Sequence, residues 1–94
     1  MRLTPEQTHL IKRIIEREFD SGARVWLFGS RANDTRRGGD VDLYVESSHS
    51  DLMRELRCKV DLEDALDLRV DLIAAAPGDT RPIARIAKTQ GILL

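Results

Sequence analysis

Residues 40–46, DVDLYVE, alternate strictly between polar and apolar side chains. On a β-strand this period of two sends Val41, Leu43 and Val45 to one face of a sheet. The opposite face receives the polar members of the segment, which are Asp40, Asp42, Tyr44 and Glu46. A sheet with one apolar face has to bury that face against another layer, so the chain must supply helices that cover it.

Two further segments have the composition of strands. Residues 24–28, RVWLF, are rich in β-branched and aromatic side chains and end at Gly29, which indicates a buried strand. Residues 69–73, RVDLI, predict a third strand, and Ala76-Pro77-Gly78 closes it. Between the first two strands, residues 29–39 predict a loop or a short helix that ends in a pair of glycines.

Two segments predict long helices. The first begins at Thr4, which forms the pattern of a capping box with Pro5 and Gln7, and it ends at Ser21-Gly22. Its inward side chains are expected to be Leu10, Ile11, Ile14, Ile15 and Phe19. The second covers about residues 50–66, with an apolar stripe of Leu52, Met53, Leu56, Val60, Leu62 and Leu66.

A third helix completes the order of elements. Asp79 or Thr80 is expected to cap it, Pro82 falls in its first turn, and Gly91 ends it. Its inward residues are expected to be Ile83, Ile86 and Ala87. The order helix, strand, strand, helix, strand, helix predicts one α/β domain over residues 1–94, with helices packed against a small mixed sheet of about three strands.

Charge and cysteine content exclude several classes of protein. With 15 basic and 16 acidic side chains the formal net charge is −1, whereas binding nucleic acid through its phosphates needs a basic face. The single cysteine, Cys58, cannot form an internal disulfide or a zinc cluster.

The first residues lack the apolar segment of a signal peptide, and no run approaches the roughly 18 apolar residues of a membrane span. We therefore expect a cytoplasmic protein without a membrane partner or sequence-specific nucleic-acid binding.

A glycine turn follows the first predicted strand. Gly29 allows the backbone to turn sharply and approach a ligand, and a short helix from Ser30 would aim free N–H groups at a phosphate. An ordinary strand-to-helix turn with a serine cap would have the same sequence. The pair therefore indicates a phosphate site only in combination with other features.

Three carboxylates fall at the ends of the predicted strands. Asp40 and Asp42 project from the same face of one strand, where two like charges need a counter-ion. Mg²⁺ suits this place because it binds one or two carboxylates together with substrate phosphates. The solvated polar face of an edge strand is the alternative. Asp71 lies between two apolar residues and would add a ligand for a second metal or a base for an attacking hydroxyl. Its alternative role is an ion pair with Arg69 or another arginine.

The joint pattern resembles a known family. The segment FGSRANDTRRGGDVDLYV, followed by RVDLI, is similar to the minimal nucleotidyltransferase domains of the DNA polymerase β superfamily, over nearly the whole chain. The resemblance implies that Gly29 and Ser30 bind a triphosphate, that Asp40 and Asp42 ligate Mg²⁺, and that Asp71 is the third carboxylate. The sequence departs from the family pattern in having nine residues between Ser30 and Asp40, where ten is commoner, and Asn33 and Asp34 in place of a basic residue and a glycine.

The family resemblance also implies a reaction and a partner. Minimal members of this superfamily are typically encoded beside a small helical protein of the HEPN type. The implied activity is that of an antitoxin that transfers AMP from ATP to a tyrosine or other hydroxyl of a HEPN toxin, within a hetero-oligomer. Two alternatives remain: an antitoxin that acts by binding alone, and a Mg²⁺-dependent nuclease or phosphotransferase.

The remaining candidates are less specific. Arg31, Arg36 and Arg37 lie in the loop after the glycine turn, where their guanidinium groups would meet triphosphate oxygens, with a solvated loop as the alternative. Ile92, Leu93 and Leu94 either dock a partner or pack on their own domain. For four residues we expect no functional role: His9 and His49 lie at the surface, Trp26 lies in the core, and Cys58 has a structural role near the edge of the second long helix.

Overall fold

The computed structural model describes residues 3–29 and 41–94. These ranges contain α1 (Pro5–Glu18), β1 (Arg24–Phe28), β2 (Val41–Glu46), α2 (Leu52–Leu66), β3 (Val70–Ala75), α3 (Pro82–Gln90) and β4 (Ile92–Leu93). The predicted α/β class is confirmed. The predicted loop at residues 30–39 and the first residue of the predicted second strand, Asp40, lie outside the described residues.

The sheet is mixed, with the order β3-β2-β1-β4. Strand β2 pairs antiparallel with β1 and parallel with β3, so it is a central strand. The expected three strands become four in the described ranges because Ile92–Leu93 pairs antiparallel with β1. Leu94 extends this contact, since its N–H donates to the Val25 carbonyl over 2.9 Å. The apolar C-terminal residues thus pack on their own sheet, although Leu93 stays 55% exposed.

One face of the sheet packs against α1 and α2. Val41, Leu43 and Val45 are fully buried there, as their alternation predicted. The predicted capping box opens α1: the Gln7 N–H donates to Thr4 Oγ1 over 3.1 Å, and the Thr4 N–H donates to Gln7 Oε1 over 2.9 Å. The helix ends at Glu18, before the predicted Ser21-Gly22.

The other face of the sheet is covered by α3. Trp26 and Tyr44 form a tilted aromatic pair with ring centroids 6.0 Å apart, and Ala84 and Ala87 of α3 pack in the same cluster. Tyr44 is completely buried, so the alternative of a solvated edge strand does not apply to this part of β2. The predicted cap of α3 by Asp79 or Thr80 is wrong: Arg81 holds the N-cap position, and no side chain among the described residues caps the helix. Asp79 instead accepts the N–H of Arg81 itself over 2.8 Å, because its side chain bonds two residues ahead in the turn before the helix.

Only part of the predicted apolar stripe of α2 is buried. The helix buries Cys58, Leu62 and Leu66, which recur every four residues. Four residues of the stripe face solvent, namely Leu52, Met53, Leu56 and Val60. The physical reason is that the six apolar residues span more of the helix circumference than one packing face covers. In α3 the expected inward Ile86 is likewise 42% exposed, because the small Ala84 and Ala87 fill the contact with the sheet.

Helix α2 also covers the outer edge of β3. The Ala74 N–H donates to Glu55 Oε1 over 2.8 Å, and the Val70 N–H donates to Glu63 Oε2 over 2.9 Å. An edge strand otherwise leaves such N–H groups unpaired. The two glutamates therefore fix α2 against the strand that carries Asp71. Across residues 3–29 and 41–94, every helix is too short or too polar to cross a bilayer.

Candidate functional site

The candidate site lies where β1 ends and where β2 and β3 begin. Asp42 is paired in register with Asp71 on the neighbouring parallel strand. Register partners point to the same face, and neighbouring strands are about 4.8 Å apart. The fold thus brings together two of the three predicted carboxylates, from positions 29 residues apart in the chain.

Gly29 completes this arrangement from the other side of Asp42. The last residue of β1, Phe28, pairs with Asp42, and Gly29 follows with φ +75°. A β-carbon at residue 29 would overlap Asp42 Oδ2 and would lie 3.0 Å from Asp42 Cγ. Only glycine combines this backbone conformation with so close an approach to a carboxylate.

The two aspartates open onto a cleft of about 500 Å³, which is within the size range of small-molecule sites. Asp42 is half-buried and Asp71 is exposed. The cleft wraps around the edge of β3 from the α3 face to α2, and its lining comprises Phe28, Asp42, Glu55, Leu56, Lys59, Asp71, Leu72, Ile73 and Ile83.

Two charged residues of this lining were missed at the level of sequence. Neither Lys59 nor Glu55 has a sequence signal of its own that predicts a functional role. They stand four residues apart on one helix and line the cleft together. Their spacing was the available signal, since residues four apart share a helix face. Lys59 supplies a cation beside two carboxylates, as a site for an anionic substrate and its metal ion requires.

The carboxylates fit the donor preferences of Mg²⁺, which binds one or two protein carboxylates together with substrate oxygens. Among the described residues, no group of three or more His, Cys, Asp or Glu side chains is arranged to hold a metal. Asp40, Ser30, Arg31, Arg36 and Arg37 lie outside the described residues, and their roles stay predictions.

Tyr44, two residues beyond Asp42 on the same strand, is buried between the sheet and α3. Burial raises the pKa of its hydroxyl, and the nearby Asp79 carboxylate raises it further. The hydroxyl is buried and makes no hydrogen bond within residues 3–29 and 41–94. Tyr44 therefore serves as part of the floor between the sheet and α3. His9 and His49 are exposed and Trp26 is buried, as expected. Cys58, expected near the edge of α2, is completely buried.

Residues 9–94 match the family described as polymerase beta, nucleotidyltransferase. The chain belongs to this family. The match includes Gly29, Asp42 and Asp71, so all three of these residues of the candidate site lie within the matched region. No curated protein sequence matches this nucleotidyltransferase significantly.

Solved structures share the fold of this nucleotidyltransferase. A chain of the toxin–antitoxin MntA-HepT crystal structure aligns with a TM-score of 0.75 and 20% identity, covering 96% of this chain and 70% of that one. A complex of the tri-AMPylated Shewanella oneidensis HEPN toxin with its MNT antitoxin gives 0.74 and 21%, covering 94% and 68%. A toxin–antitoxin structure with AMP-PNP gives 0.76 and 24%, covering 93% and 70%.

Proposed function

We propose that this nucleotidyltransferase is an antitoxin that transfers AMP from ATP to a hydroxyl, in particular that of a tyrosine, on a HEPN-type partner protein. The observation that carries the proposal is the register pairing of Asp42 with Asp71 beside Gly29. A pair of carboxylates next to a glycine turn suits a substrate that is both anionic and metal-bound. A simple binding surface would not require this arrangement.

The similar structures support the choice of nucleotide and acceptor. One contains an AMPylated HEPN toxin with its MNT antitoxin, and another contains the ATP analogue AMP-PNP. The cleft of this chain is about 500 Å³ in volume and includes the exposed side chains of Leu56 and Asp71, so a second protein can reach the carboxylates. A protein acceptor that completes the site is consistent with this geometry, and a cytoplasmic location, where ATP is available, is part of the proposal.

The residues of the cleft have distinct roles in this reaction. Gly29 lets the backbone approach the triphosphate, and Lys59 faces its negative charge. The acceptor oxygen forms a bond to the α-phosphorus while the bond from the α-phosphorus to the bridging oxygen breaks, and pyrophosphate leaves. Asp71, the more exposed carboxylate, accepts the proton of the acceptor hydroxyl.

Asp42 and, from outside the described residues, Asp40 would hold Mg²⁺ together with the phosphate oxygens, and Asp71 would add a ligand for a second metal ion. Bound Mg²⁺ supplies positive charge that offsets the charge developing on the transferring phosphoryl group. Asp42 is held on a central strand between β1 and β3, so its carboxylate is oriented by the sheet before substrate binds. Such preorganisation is what nucleotidyl transfer demands of the protein.

The test is a transfer assay with ATP labelled at the α-phosphate. The protein is incubated with Mg²⁺ and label, alone and with the HEPN-type product of the adjacent gene. We expect label on the partner and none when Asp42→Asn replaces the wild type. Neutralisation of the partner without label would indicate an antitoxin that acts by binding alone. Release of nucleotides from RNA by the antitoxin itself would indicate a nuclease.

A further inference from the structure

Helix α2 exposes an apolar surface that the fold does not use. The outer stripe, as we call it, consists of Leu52, Met53, Leu56 and Val60, which are 66, 62, 48 and 54% exposed. Leu52, Leu56 and Val60 are spaced four residues apart and form one line along the helix. The solvent side of a surface helix is ordinarily polar, and a contiguous apolar area there indicates an interaction site.

Two arginines beside the outer stripe have partners in their own chain. Arg54 donates to Asp51 over 3.2 Å and to the Glu18 carbonyl over 3.0 Å. Arg57 forms an ion pair with Glu18 at 3.5 Å. These contacts hold the long side chains toward α1, so they leave the stripe open to an apolar surface while forming a polar rim around it.

The outer stripe continues into the candidate site. Leu56 belongs both to the stripe and to the lining of the cleft that contains Asp42 and Asp71. On its other side, Leu56 and Val60 line a shallow groove of about 280 Å³. A macromolecule that brings a hydroxyl to the two carboxylates from this side therefore passes over Leu56.

We propose that the outer stripe is the docking surface for the acceptor protein, which presents an apolar face next to its acceptor hydroxyl. This inference rests on the proposed function, because it assigns the surface to the partner of the same reaction. A second copy of the chain on the stripe would cover Leu56 and close this side of the cleft. The continuity of stripe and cleft thus favours the acceptor protein over self-association.

The experiment uses Met53→Glu/Val60→Glu, since neither residue lines the cleft. Ile86→Glu is the matched control for Val60→Glu alone, because each adds one charge at an exposed apolar residue. Binding to the purified HEPN-type product of the adjacent gene is measured by calorimetry, and label transfer is measured against its concentration. In the glutamate variant we expect the Kd and the KM for the HEPN-type partner to rise at least about tenfold while kcat stays nearly unchanged. The control should match the wild type.

Further measurements separate this inference from the proposed function. Met53→Leu/Val60→Leu keeps the surface apolar and is expected to retain wild-type affinity, and circular dichroism verifies that each variant folds. Label transfer with unchanged Kd and KM in the glutamate variant would overturn the docking surface and leave the transferase intact. A different result would be a wild type that binds the partner without transferring label, and a glutamate variant that does not bind it. That result would overturn the proposed transferase activity and retain the docking surface. Light scattering that shows a wild-type dimer, abolished by the glutamates while partner affinity stays constant, would overturn the docking proposal.

Discussion

The backbone at Gly29 lies so close to Asp42 that a β-carbon on residue 29 would occupy the space of the carboxylate. The two residues come from neighbouring strands, β1 and β2, and the pairing of Phe28 with Asp42 fixes their approach. The glycine therefore does more than permit a turn. It leaves the space in which the Asp42 carboxylate points into the cleft.

Replacing Gly29 by alanine should displace that carboxylate. The positive φ alone costs an alanine about 1–2 kcal/mol, and the overlap with Asp42 adds a steric penalty. We expect Gly29→Ala to lower the free energy of unfolding by at least about 1 kcal/mol and the transfer rate at least about tenfold. Urea denaturation and the labelled-ATP assay measure the two effects.

Gly78→Ala is the matched control for this substitution. Gly78 has φ +86°, yet a β-carbon there would have no neighbour within 4 Å in the described structure. The Gly78→Ala variant should be less stable than the wild type because of its backbone conformation, and it should transfer label at the wild-type rate. Equal loss of transfer in both alanine variants would contradict a specific role for the contact between Gly29 and Asp42.

Asp42→Asn removes the charge of a metal-binding oxygen and retains the volume of the side chain. We expect transfer to fall about a hundredfold or more, which corresponds to about 2.7 kcal/mol of transition-state stabilisation. The apo protein should unfold at an unchanged or slightly higher urea concentration, because a repulsive charge next to Asp71 is lost. Asp64→Asn, on the exposed surface of α2, is the control. Wild-type rates in Asp42→Asn would rule out its role as a ligand.

Asp71→Asn should separate rate from binding. A group that accepts the proton of the attacking hydroxyl acts mainly in the transition state, so its loss lowers kcat more than the affinity for Mg·ATP. We expect a fall of about a hundredfold or more in kcat, within the range for a general base, and a change below about threefold in Kd by calorimetry. Parallel losses in rate and affinity would instead make Asp71 a ground-state ligand.

Much of this fold could be predicted because local signals and burial agree. The capping box of Thr4 and Gln7 and the alternation of β2 each have one physical interpretation, and both are confirmed. The short strand β4 escaped prediction, since two residues after Gly91 carry no periodic signal and depend on pairing with β1.

The site was only partly predictable for a related reason. Asp42 and Asp71 could be singled out as carboxylates in apolar strands, but their adjacency depends on strand order, which the sequence pattern left open. The apolar stripe of α2 could be recognised in the sequence, but its periodicity does not show which of its residues pack against the core and which remain for another surface. In the structure the core contact is made by Cys58, Leu62 and Leu66, and the outer stripe is left for another surface.

The hydrogen bond of Glu63 to the edge of β3 should contribute measurably to stability. The Val70 N–H would lose its acceptor in Glu63→Ala, at a cost of about 1–3 kcal/mol for an unsatisfied, partly buried donor. Glu63→Gln keeps an acceptor oxygen and should lose less than half as much. Urea denaturation of the three proteins compares these values. Equal destabilisation by alanine and glutamine would indicate that charge, rather than the hydrogen bond, is responsible.

The single cysteine should report global unfolding. Burial raises the pKa of the Cys58 thiol to about 12, and the charges of Glu18 and Asp61 add to this effect. At pH 8 the folded protein therefore holds a protonated, inaccessible thiol, and we expect the aromatic disulfide DTNB to react with it only through unfolding. Because the folded pKa exceeds the unfolded value, this group's contribution to stability declines as pH rises from about 9 toward 12. Cys58→Ala should remove this labelling. Fast labelling of the native protein at pH 8, at the rate of a free thiol, would contradict the burial of Cys58 on the inner face of α2.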